Sequence, residues 1–136
     1  MNATQPILTI LVPVKDEEEA IAPFVSRVGK VLEGLPDPAA DSWEILFIDD
    51  GSNDATFAAI LAANANKKRV RAVSLSRNFG KEAALSAGLD YARGDAVIPI
   101  DVDLQDPPEV IADMIKAWRN GSEVVYGVRR NRESDS

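Results

Sequence analysis

Asp101 and Asp103 stand two apart at the end of an apolar run, in "IPIDVDLQDPPE" (98–109), with Gln105 and Asp106 following. In extended chain such a pair leaves one face, from Cα atoms about 6.5–7 Å apart. Two carboxylates roughly 5 Å apart at an effective dielectric near 20 repel by about 3 kcal/mol, which some partner must offset. A divalent cation held by oxygens does so directly, and Gln105 can add a neutral contact. Magnesium and manganese suit the arrangement, because they accept one or two carboxylates and fill the remaining positions with water and substrate phosphate. The plainer reading is a solvated acidic loop, with Asp106 capping a helix entered through Pro107-Pro108. The bare pair does not choose between them.

Three other stretches raise the same alternative. "FIDDGSND" (47–54) carries Asp49-Asp50. Either Gly51 permits a tight turn while Asp54 or Ser52 caps a helix, or a carboxylate reaches over the sheet edge toward a base or ribose. "VPVKDEEE" (12–19) reads as a helix start with acids favoured by the macrodipole. "RNFGKEAA" (77–84) puts Arg77 and Lys81 at a junction where cations either meet phosphates or form surface ion pairs of little stabilising value.

The elements that position these residues are legible as periodicities. Five apolar, β-branched runs, 7–14, 43–49, 70–75, 95–101 and 122–128, read as strands. Between them, Ile21, Phe24, Val25, Val28, Val31, Leu32 and Leu35 repeat at helical spacing. Phe57, Ile60 and Leu61 predict a second helix, and Leu85, Leu89 and Ala92 a third. Val110, Ile111, Met114, Ile115 and Trp118 predict a fourth. Continuous apolar strands alternating with helices imply an α/β fold, a Rossmann-like, mostly parallel sheet with helices on both faces. In such sheets ligands sit outside the carboxyl ends of the strands, where four of the five runs here carry charge.

Composition narrows the chemistry. The chain has 136 residues, one domain's worth, with 46% apolar and 27% charged residues. Its formal charge of −7 and lack of a basic tract argue against nucleic acid as a main partner. With no cysteine and no histidine, thiolate chemistry and soft metal sites are excluded, leaving oxygen ligands and hard cations. No apolar run reaches membrane-spanning length, so the expected location is cytoplasmic.

Taken in order, "VPVKDEEE", "FIDDGSND", "SLSRNFGKEAALSAGLDYARGDAVIPIDVDLQDPPE" and "VVYGVRRNRESDS" resemble family 2 glycosyltransferases of the GT-A fold. The likeness is to the branch that loads sugars onto polyisoprenyl phosphates, the dolichyl-phosphate mannosyltransferase and undecaprenyl-phosphate glycosyltransferase group. It implies that Asp101, Asp103 and Gln105 form a D-x-D-x-Q site bridging Mg2+ or Mn2+ to the donor diphosphate. Asp50 would read the nucleotide base, Pro13 and Glu17 would lie near base and ribose, and Arg129 would face the phosphates, with Arg77 and Lys81 as further phosphate-side contacts. The family's Pro-x-Tyr-Asn-Glu is here Pro13-Val14-Lys15-Asp16-Glu17, which lacks the aromatic that stacks on the base. Family members continue beyond a segment like "RESDS". The resemblance therefore implies a single donor-binding domain over 1–136, with membrane contact only through segments that would follow.

The implied reaction is inverting transfer of a hexose-type sugar from a UDP- or GDP-sugar to a lipid phosphate. An anionic acceptor phosphate needs no general base, so the lack of histidine is no obstacle. A receiver-like module would need its acidic pair after the first strand and a lysine after the fifth, whereas this chain has Asp49-Asp50 after the second and Arg129 after the fifth. A phosphatase with a nucleophilic D-x-D would carry it after the first strand, followed by a Gly-Thr turn. Binding of nucleotide and metal without catalysis is the remaining alternative.

Overall fold

The structure, a computed structural model, describes residues 8–34, 42–67, 69–103 and 110–119, excluding the side chains of 115 and 117–119. Strands β1 (Leu8–Val14), β2 (Trp43–Asp49), β3 (Val70–Ser74) and β4 (Ala96–Pro99) alternate with helices α1 (Glu18–Glu33), α2 (Thr56–Asn66), α3 (Lys81–Tyr91) and α4 (Val110–Arg119). Each follows a run or periodicity read above. The fifth run, 122–128, lies outside the described residues.

The strands pair in the order β3-β2-β1-β4, and every pair is parallel. The chain builds outward from β1 through β2 to β3, then returns to add β4 on β1's other side. That reversal opens a crevice between the carboxyl ends of β1 and β4, where doubly wound sheets take their ligands. Ile100 N–H donates to the Leu11 carbonyl at 2.9 Å. Alternate residues of a parallel strand face alternate neighbours, so Pro99, which has no N–H to give, has that position turned away from β1.

Both faces of the sheet are covered, which is why its strands read as unbroken apolar runs. Leu8, Ile10, Val12 and Val14 pack with α1, α2 and α4 through Phe24, Val28, Ile60, Ile111 and Met114. Phe24 meets Phe47 edge-on, with ring centroids 5.8 Å apart. The other face is thinner, with Leu11, Leu46 and Ile48 against α3.

On α3 the expected face is corrected. Ala84 and Gly88 are the buried positions, whereas Leu89 is 59% exposed. Close approach selects small residues here: a Cβ on Gly88 would fall 2.2 Å from Leu11 Cδ1. On α2, Ile60 is buried and Phe57 packs partly against the core, but Leu61 faces outward.

The amino-terminal end of the sheet carries a polar network that the apolar pattern conceals. Glu44 is buried in β2, accepting from Thr9 Oγ1 at 2.6 Å, Arg71 Nη1 at 2.5 Å and the Arg93 N–H at 2.8 Å. Thr9 Oγ1 in turn accepts from the Gly94 N–H at 2.9 Å. Among the described residues no buried side-chain nitrogen or oxygen lacks a partner, and no helix is long and apolar enough to cross a membrane.

Candidate nucleotide and cation site

Sheet hydrogen bonding continues past the strand ends and sets the loops that follow. Asp50 N–H donates to the Val14 carbonyl and Leu75 N–H to the Asp49 carbonyl, both at 2.9 Å. The β1–α1 and β2–α2 loops are then tied by reciprocal side-chain bonds. Asp16 N–H donates to Ser52 Oγ at 2.8 Å and Asn53 N–H to Asp16 Oδ1 at 2.7 Å. Glu17 N–H donates to Thr56 Oγ1 at 2.7 Å, and Ala55 N–H to Glu18 Oε1 at 3.0 Å. Asp16 adopts the left-handed conformation at φ 54°, which its side-chain bonds hold in place.

These contacts bear on the helix-start roles raised by the sequence. Asp54 accepts from the Thr56 N–H at 2.9 Å and from the Thr56 hydroxyl, bracing the first residue of α2, but the N-cap position is Ala55, which corrects the expectation that Asp54 caps the helix. Ser52 does not cap it either, because its hydroxyl is directed to Asp16. Glu18 and Glu19 occupy the first turn of α1, as the macrodipole favours.

The latch has a pH signature. A hydrogen bond from Lys15 and the Asn53 N–H hold the Asp16 carboxyl below its ordinary value, and the Thr56 hydroxyl does the same for Asp54. A depressed carboxyl stabilises the fold above the unfolded value of 3.8 and loses that contribution as pH falls through the folded value. The thermal midpoint is therefore expected to fall as pH is lowered below 3.8, and less so in Asp16→Asn.

Asp50 is the hinge between loops. Its Oδ1 accepts the Phe79 N–H at 2.8 Å and its Oδ2 the Gly80 N–H at 3.0 Å, fixing the turn before α3. Each oxygen keeps capacity for a second bond. Gly51 follows at φ 72°, where a Cβ would lie 2.5 Å from the Arg77 carbonyl carbon and the Asn78 nitrogen. Gly51→Ala is expected to destabilise the chain by about 2 kcal/mol, measured by urea unfolding, since neither backbone can yield cheaply.

The loops enclose a cleft of about 370 Å³ lined by Pro13, Val14, Lys15, Glu17, Asp50, Asn78, Gly80, Lys81, Asp101, Val102 and Asp103. Six of the residues singled out from sequence thus converge: Pro13, Glu17, Asp50, Lys81, Asp101 and Asp103. Arg77 is not among the lining residues, and its guanidinium lies 4.9 Å from the centre of the Phe79 ring. Its place on the phosphate side is therefore not drawn from this cleft, and the contact it makes is with an aromatic face. Gln105, Asp106 and Arg129 lie outside the described residues. Lys15, Asn78 and Gly80 were not singled out as ligand contacts, although the turn signals around them were visible.

The cleft is strongly acidic. Partial burial, then repulsion from Asp103 and Asp101, holds the Glu17 carboxyl above its ordinary 4.5. Lys81 Nζ meets Asp101 Oδ1 at 2.6 Å, and Lys15 Nζ meets Asp16 Oδ2 at 2.8 Å. Among the described residues no group of three or more His, Cys, Asp or Glu forms a metal cage. Asp101 and Asp103 instead line the cleft side by side, and carboxylate is the donor type that suits a divalent cation drawing its other ligands from water and substrate phosphate.

The fold is of the GT-A class of glycosyltransferase folds, as its likeness to solved structures shows. A mannosyltransferase of Pyrobaculum calidifontis in complex with GDP-Man and Mn2+ superposes with a TM-score of 0.66 at 23% identity, covering 82% of this chain and 32% of that one. The S. aureus TarS 1-349 complex with UDP-GlcNAc gives 0.61 at 23% identity, over 80% and 30%. The chain belongs to Glycosyl transferase family 2, which it matches over residues 9–136. The bactoprenol glucosyl transferase of Shigella phage SfV is 49% identical over 128 residues, 94% of this chain and 40% of that protein. The prophage bactoprenol glucosyl transferase homolog of Escherichia coli (strain K12) is 47% identical over the same shares. The chain thus spans about 40% of the length of these curated relatives.

Proposed function

We propose that this chain is the donor-binding portion of an enzyme that transfers a sugar, with inversion, from a UDP- or GDP-sugar to a polyisoprenyl phosphate at the cytoplasmic face of a membrane. One observation carries the reading: Pro13, Glu17, Asp50, Lys81, Asp101 and Asp103 line a single cleft at the switch point of a family 2 chain. The relatives named for bactoprenol support the lipid acceptor, and the two solved complexes support a nucleotide-sugar donor.

The parts of Pro13, Glu17, Asp50, Lys81, Asp101 and Asp103 follow from their places in the cleft, and those of Gln105 and Arg129 from the family resemblance. Asp50 fixes the 79–80 turn and keeps acceptor capacity for the base, while Pro13 and Glu17 border the nucleoside side. Asp101 and Asp103, with Gln105, would hold Mg2+ or Mn2+, which would supply Lewis-acid stabilisation of the leaving diphosphate. Lys81 and Arg129 add positive charge on the phosphate side. The acceptor phosphate is already an anion, so attack requires no proton transfer from this chain.

Single-turnover transfer from labelled UDP- or GDP-sugars to polyprenyl phosphate, with Mg2+ or Mn2+, tests the proposal. Lipid-linked sugar formed only with the metal supports it. Nucleotide binding without transfer would reduce the chain to a donor-binding module, and failure to bind UDP and GDP would remove the reading.

A further inference from the structure

The geometry points to Lys81 as a resident counter-cation of the cleft, displaced from Asp101 when the divalent ion binds. The inference rests on the donor-site reading and goes beyond it to how the cation-free site is held.

Lys81 is the first residue of α3, where the helix macrodipole disfavours a positive side chain. The acids opposite offset that cost. Its ammonium lies 2.6 Å from Asp101 Oδ1, with the Lys81 side chain 56% and the Asp101 side chain 24% exposed. The carboxylate is the more sheltered partner, and the lysine is the one with room to leave. Glu17, Asp50 and Asp103 face the same cleft, and Lys15, the other lysine lining it, has its ammonium on Asp16.

A divalent ion coordinated through Asp101 Oδ1 competes with the Lys81 ammonium for that oxygen, and the two cations repel at close range. Ion entry at that oxygen therefore displaces the Lys81–Asp101 contact. The displaced ammonium remains at the cleft rim on a flexible stem. Lys81 in this sense neutralises Asp101 in the cation's stead until the ion arrives.

Mn2+ alone, without nucleotide, is the direct probe, titrated into the full chain and followed by electron paramagnetic resonance. Lys81→Met is expected to bind Mn2+ about fivefold more tightly than the unaltered chain, the upper range for removing one exposed ion pair. Lys81→Arg, which keeps the charge and the contact, is expected to restore the weaker binding. Lys15→Met removes the same charge from the same cleft and is expected to change affinity less than about twofold, since its partner is Asp16. In Asp101→Asn the further change Lys81→Met is expected to have no effect, because the two residues act through one contact.

Equal Mn2+ affinity in the unaltered chain and Lys81→Met would overturn the displacement while leaving the donor-site reading intact. So would an equal gain in Lys15→Met, which would show a general effect of charge. Failure of the unaltered chain and every variant to bind Mn2+, even with UDP or GDP, would remove the donor-site reading and this proposal together.

Discussion

Asp103→Ala is expected to lower metal-dependent sugar transfer by about a hundredfold or more, the scale of losing one organised stabiliser of developing charge. Asp103 is exposed on the loop after β4 and lines the cleft beside Asp101, so its removal takes away a donor oxygen without opening the core. Its thermal midpoint is expected to stay close to that of the unaltered chain, since surface changes of this kind stay within about 0.5 kcal/mol. Calorimetric titration of UDP and GDP with and without Mn2+ separates the causes. The metal-dependent part of binding should vanish in the variant, and the metal-independent part should persist. Nucleotide binding in Asp103→Ala that still strengthened fully with Mn2+ would move the cation elsewhere and sink the assignment.

Glu44→Ala is expected to cost about 3–5 kcal/mol of folding stability, the range for stripping one partner from a buried ion pair. The loss has three parts. Arg71 loses its carboxylate, Thr9 Oγ1 loses its acceptor, and the Arg93 N–H loses its own. Glu44→Gln retains one amide oxygen and is expected to lose less, and urea unfolding of the two variants measures the difference. Because Glu44 sits at the opposite end of β2 from Asp49, nucleotide affinity in the surviving folded fraction is expected to be unchanged. A loss below about 1 kcal/mol in Glu44→Ala would show the network to be a surface feature.

The sequence was most readable where burial alone decides residue type. β1 and β2 are buried along their lengths, and unbroken apolar runs announced them. The α1 face was equally plain, because Ile21, Phe24, Val25, Val28 and Leu32 fill one continuous core. α3 was placed but its inner face was not. Contact there depends on Ala84 and the missing side chain of Gly88, and hydrophobic periodicity favours large residues such as Leu89. The cleft acids were legible because sheet topology dictates where ligands go, and charge collected there. The latch was not, since Asp16, Ser52, Asn53 and Thr56 bond across 36 or more positions with no period to betray them. Glu44 was hidden for a related reason: one acid in an apolar run reveals its partners only after the strands are aligned. Arg77 shows the converse, a cation at the expected junction whose charge is directed to a neighbouring ring.

The seat of Gly88 on Leu11 also bears on kinetics. A helix whose backbone rests this closely on the sheet is seated against Leu11 along its middle turn. Withdrawal of Lys81 from Asp101 then needs only torsions of its own exposed side chain, on a picosecond-to-nanosecond scale. Exchange of the ion should then run at the pace at which the hydrated metal sheds its coordinated water, with no slower step imposed by the polypeptide.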